Sequence, residues 1–110
     1  MNVAISFSKD PPDIWNTKAE NYRSLVARLR ELNPQESVVI QHLTMAGFFG
    51  GISLDTEFKE SPELTERIVR LLIEAAKSIK EEQAEDKEES SSISELLLML
   101  EKFQTFCTNN

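Results

Sequence analysis

Residues 10–32 read DPPDIWNTKAENYRSLVARLREL, and the fold class turns on them. Asp10 ahead of Pro11 and Pro12 has the form of a helix start. A short carboxylate can accept from the free N–H groups of a first turn, proline lacks the N–H that such a turn leaves unused, and Asp13 suits the positive end of the helix dipole. Trp15, Ala19, Tyr22, Leu25, Val26, Leu29 and Leu32 follow at steps of three and four, with Lys18, Glu20, Arg23, Arg28, Arg30 and Glu31 on the opposite face. The spacing predicts one amphipathic helix over residues 11–32.

Downstream, Asn33-Pro34-Gln35-Glu36 has the form of a capping box with proline at the first helical position. It opens a helix over 34–49 in which Val38, Val39, Ile40, Leu43, Met45, Ala46, Phe48 and Phe49 cover most of the circumference. A helix apolar all round belongs in the middle of a bundle. Gly47, Gly50 and Gly51 end it, since C-terminal caps draw on the left-handed backbone that glycine tolerates. Residues 52–60 read as a connector. Its Ile52-Ser53-Leu54 alternates as a strand would, and so does Val3-Ala4-Ile5-Ser6-Phe7, leaving room for a minor two-stranded pairing of residues 3–7 with 52–58.

Ser61 and Pro62 start a third helix over 62–82, with Leu64, Ile68, Leu71, Leu72, Ala75, Ala76 and Ile79 as its stripe and Glu63/Arg67 and Glu66/Arg70 as four-spaced ion pairs outside. Ser92 with Glu95 makes another capping box. It introduces a last helix over 93–107 carrying Ile93, Leu96, Leu97, Leu98, Met99, Leu100, Phe103 and Phe106. The expected fold is therefore all-α, a four-helix bundle-like single domain over residues 1–110. Between the last two helices, residues 82–92 are nearly devoid of apolar side chains and read as a mobile acidic linker.

The chain of 110 residues sets 12 Lys and Arg against 19 Asp and Glu, a net charge of −7 with His42 neutral. Residues 81–95 alone carry seven acids and one lysine, net −6, so the remaining 95 residues sum to −1. Acidic balance disfavours phosphate backbones and anionic membrane surfaces. The four cations on the first helix face are offset by Asp10, Asp13, Glu20 and Glu31 with no interleaved aromatics, so nucleic acid is not an expected partner. Residues 37–54 hold no Asp, Glu, Lys or Arg over 18 positions, but Gln41, His42, Thr44, Ser53 and three glycines make them a buried helix and its end rather than a span of about 20 apolar residues. A single cysteine, Cys107, admits no internal disulfide, and the N-terminus lacks the positive region of a signal peptide. Both point to the cytoplasm.

Complete catalytic, metal or nucleotide motifs are missing. His42 and Cys107 each stand alone, and the three glycines lack a following Gly-Lys-Ser/Thr. Glu81-Glu82-Gln83-Ala84-Glu85 spells E-E-x-x-E and resembles half of the metal-binding signature of the all-α nucleoside triphosphate pyrophosphohydrolases of the MazG type. In that family an E-x-x-D motif on the next helix completes a magnesium site. Here Glu95 is followed by Leu98 and Glu101 by Gln104, so the second half is missing and the run reads as solvated acid.

No cofactor is expected. The most economical reading is a small cytoplasmic, non-catalytic protein–protein interaction module of regulator, inhibitor or immunity type. Leu96, Leu97, Leu100 and Phe103 would be its apolar contacts, and Glu81, Glu82, Glu85, Asp86, Glu88 and Glu89 would steer a basic partner. Self-association into a dimeric or larger helical bundle is the alternative, and the pyrophosphohydrolase-like enzyme a second.

Overall fold

Residues 2–9 and 12–18 do not join the bundle. In the computed structural model, which describes residues 2–9, 12–82 and 87–109 and gives the backbone alone for 9 and 87–91, they form two strands. β1 (Asn2–Lys9) pairs antiparallel with β2 (Pro12–Lys18), Ile5 opposite Trp15 and Val3 opposite Thr17. β3 (Gly51–Ser53) joins the other edge of β1 in parallel, Ile5 opposite Ile52. Among the described residues the result is a three-stranded mixed sheet of order β2-β1-β3, packed against five helices. The expectation of an all-α bundle is thereby corrected to a helix-rich mixed α/β fold.

The physical reason lies in residues 12–18. Trp15 and Thr17 face inward while Ile14, Asn16 and Lys18 face out, which is a period of two. Ile, Trp and Thr also favour a pleated surface over a helix. On β1, Val3, Ile5 and Phe7 point into the core together, and a bulge between Ser6 and Ser8 brings Ser8 opposite Asp13. The pairing of 3–7 with 52–58 exists only over Gly51–Ser53. Residues 54–58 instead belong to a short helix, α3 (Leu54–Glu60), where a connector was expected.

Helix α1 (Ala19–Leu32) thus begins eight residues later than the sequence predicts, with Lys18 at its N-cap making no side-chain cap bond. Helix α2 (Ser37–Phe48) also starts late. Asn33–Glu36 is a turn closed by the Glu36 N–H donating to the Asn33 carbonyl at 3.1 Å, and neither residue caps the helix as the capping-box pattern suggests. The Glu36 carboxylate accepts instead from Arg67 of α4 (Pro62–Glu82), tying the start of α2 to the longest stripe of the core. Helix α5 (Lys87–Thr108) starts ahead of the expected 93 and runs through Ser92 and Glu95 without a boundary there. The linker expected at 82–92 falls partly on residues 83–86, outside the described residues, and from Lys87 onward the backbone is helical.

Helix α4, not α2, takes the central place. Nine of its residues are buried, from Thr65 to Ile79, with α1, α3 and α5 packed around it. Of the twelve residues of α2 only Val39 and Leu43 are buried, so the helix expected in the middle lies at the edge. The core joins the inner face of the sheet to α1, α4 and α5. Phe7 meets Phe103 edge-on with ring centroids 5.9 Å apart, and the Trp15 indole N–H donates to the Ser92 carbonyl at 3.1 Å.

Candidate functional site: the α1–α2 groove and the outer face of α2

A single contact sets how α1 and α2 meet. The Tyr22 hydroxyl donates to the Leu43 carbonyl at 2.6 Å, and its ring lies against Gly47, where an added Cβ would stand 2.9 Å from Cε1. Only glycine lets the ring sit so close. Burial raises the ionisation of the Tyr22 phenol well above its ordinary value of about 10, so it remains a donor.

Beside this contact runs a groove of about 320 Å³ between the two helices. Val3, Tyr22, Val26 and Ala27 form its wall on one side, and Gly47 and Phe48 on the other. It adjoins a second concavity of about 470 Å³ that shares Arg30 and Thr44 and ends at Pro34, Ile40 and Met45. Together they form a trough along the helix seam rather than a closed pocket. The charged residues lining it are Arg23 and Arg30, with no carboxylate among the lining residues. Both arginines are exposed, and among the described residues neither makes an ion pair.

The solvent face of α2 continues this apolar surface. Val38 is 58% exposed, Met45 48%, Phe48 74% and Phe49, just past the helix, 81%. At 100° per residue Val38, Gln41, Met45 and Phe48 share one stripe opposite Val39 and Leu43. Nearby, His42 lies 3.3 Å from Glu57, fastening α2 to α3. Gly50 and Gly51, with φ of +93° and +142°, then turn the chain straight into β3.

The residues singled out from sequence divide differently. Leu96, Leu97, Leu100 and Phe103 do come together, but inside the chain's own core, each no more than 6% exposed. As an apolar surface they are covered by this chain's own sheet and helices; the solvent face of α5 carries Leu98 instead. Glu81 and Glu82 are exposed at the end of α4, where Glu82 accepts from Arg28 of α1. Glu85 and Asp86 lie outside the described residues, and Glu88 and Glu89 are described by their helical backbone alone. Among the described residues no cluster of three His, Cys, Asp or Glu is placed to hold a metal, and no helix is long and apolar enough to cross a membrane. Cys107 is buried, and burial, with Glu66 nearby, pushes its thiol up.

Sequence pattern treated Arg23 and Arg30 as part of a solvated face and the apolar excess of α2 as bundle interior. The signal that finds this site is the excess itself, because a helix seated on one side can bury only one stripe. The other large cavity, about 570 Å³ near Phe7, Phe103 and Phe106, sets Asp13 and Asp55 against Lys59 and Lys102 and so has no preferred sign of ligand. The chain matches no family model, no curated protein and no solved structure.

Proposed function

We propose that the protein is a non-catalytic protein–protein interaction module that docks its partner on the outer face of α2 and along the groove between α2 and α1. One observation carries this reading: α2 is apolar over most of its circumference yet fully buried only at Val39 and Leu43. An apolar face left in water is not maintained by the stability of the free fold, whereas a partner's surface gives it a use. The two phenyl rings of Phe48 and Phe49 alone present roughly 300 Å² of apolar area, the scale of the largest patch on an ordinary monomer. Aromatic residues and methionine beside arginine are also the side chains enriched at interface centres. In this reading α5 belongs to the framework and α2 to the interface.

The test compares captures from a native lysate by the wild-type chain and by the Phe48→Ser/Phe49→Ser variant, after circular dichroism has established that the variant is folded. A specific protein retained by the wild type and released by the variant is the expected result. An identical retained set for both chains overturns the assignment of the interface to α2.

A further inference from the structure

We infer that the occupant of the α1–α2 trough is an acidic amphipathic helix of another protein, its apolar stripe in the groove and its carboxylates on Arg23 and Arg30. This rests on the docking reading above and adds the chemistry of the partner.

Shape argues for a helix. The trough follows α1 from Ala19 to Arg30, eleven steps of 1.5 Å or about 16 Å, which is three helical turns. A groove between two helices takes a third through anchors at i, i+4 and i+7. Arg23 and Arg30 stand seven residues apart on one side of α1, about 10 Å along the axis, so carboxylates seven apart on the partner meet both.

Charge selects the sign. Outside residues 81–95 the chain is almost neutral, and the local field at the trough comes from two cations without lining acids. Of the nearby acids, Glu31 and Glu36 are engaged by Arg28 and Arg67, and Glu20, in the first turn of α1, is exposed and lines neither concavity. On the other flank of α1, Arg28 holds Glu82, and Ser92 shares a cavity with Asn21 and Ser24. Held on that flank, Glu82 does not cancel the two arginines at contact range, beyond which salt screens its repulsion. A second copy of the chain is disfavoured by the same arrangement. A twofold through this face would gather the Arg23 and Arg30 of both copies into one desolvated interface whose lining holds no acid to pair them.

The experiment displays helical peptides about five turns long, with leucines at i, i+4 and i+7 and the flanking positions drawn equally from Ala, Gln, Glu and Lys, and selects them on the full-length wild-type chain. The expected enrichment is Glu over Lys, strongest at positions seven apart. It should invert to Lys on the Arg23→Glu/Arg30→Glu variant, whose changes lie at exposed positions. A selected peptide loses about two- to fivefold in affinity for each single Arg→Ala change. Enriched binders with no preference of sign overturn the acidic partner but leave the docking face. Binders indifferent to Phe48→Ser/Phe49→Ser overturn the docking face as well. Enrichment no greater than on a blank support overturns the helical occupant. A wild-type dimer in light scattering that becomes monomeric with Phe48→Ser/Phe49→Ser assigns the face to a second copy and overturns the inference in that way.

Discussion

Replacing both Phe48 and Phe49 by serine separates an interface from a core, because their exposure limits the loss of stability in the free protein to less than one core truncation costs. Phe48 keeps 26% of its surface from solvent and Phe49 19%, the complements of their exposures. For aromatic side chains of roughly 200 Å² that is about 90 Å² for the pair, or about 2 kcal/mol at 25 cal/mol per Å², an upper bound because the unfolded chain already covers some of it. Leu100 is fully buried, and Leu100→Ala should cost 2–5 kcal/mol by the transfer and cavity terms together, roughly the range seen for such core truncations. Urea unfolding followed by far-ultraviolet circular dichroism, read as a shift in midpoint at constant slope, compares the three chains directly. The doubly substituted chain is expected near the wild type and Leu100→Ala well below both. If the double substitution destabilises more than Leu100→Ala does, the two rings support the fold, and the argument from their exposure collapses.

Three further outcomes concern the sheet, Tyr22 and α5. Gly51→Ala places a methyl 1.9 Å from the Ala4 carbonyl oxygen at a φ of +142°, so the β1–β3 pairing must open, and urea unfolding should register a loss of roughly 3 kcal/mol or more. Tyr22, the single tyrosine, ionises later in the folded state than in the unfolded one, so its contribution to stability is complete below pH about 10 and is lost as pH rises beyond it. Tyrosinate absorbance should therefore rise together with unfolding, and Tyr22→Phe, at a cost of about 1 kcal/mol, should remove that part of the alkaline dependence. A chain ending at Glu89 loses Leu96, Leu97, Leu100 and Phe103 from the core and should show no dispersed amide spectrum; a folded monomer would mean that α5 is dispensable.

Much of the helical content was legible in the sequence because long stripes are hard to mistake. The predicted third helix over 62–82 coincides with α4, and the stripe of the last one sits where Leu96, Leu100 and Phe103 pack. Of the sheet, the alternation of residues 3–7 and 52–54 pointed to the β1–β3 pairing, but β2 was not legible, for a specific reason. Trp15, Ala19 and Tyr22 satisfy a helical spacing, while Trp15 and Thr17 equally satisfy a strand's, and a window crossing from β2 into α1 shows the longer period. Asp10-Pro11-Pro12 is as good a chain-reversal signal as a helix start, so it does not arbitrate. The site was half legible. The apolar breadth of α2 was evident, but whether a bundle or a partner covers such a helix depends on which helix occupies the middle. That is decided by α4, whose buried positions extend across two faces. Breadth alone in α5 did not tell its inner face from its outer one, since Leu96 and Leu97 face inward and Leu98 outward.

The order of the strands bears on how the chain comes off the ribosome. β1 is the middle strand, yet its parallel neighbour, Gly51–Ser53, follows the end of β2 only after another 32 residues. At roughly 5–20 residues per second those residues take about 2–6 s to synthesise. Throughout that interval a β1–β2 hairpin would show an unpaired edge at Ala4–Ser6, and Phe7 and Trp15 would wait longer still for Phe103 and Ser92. Nascent chains of this protein should therefore recruit chaperones early, and their release should depend on synthesis of the last helix.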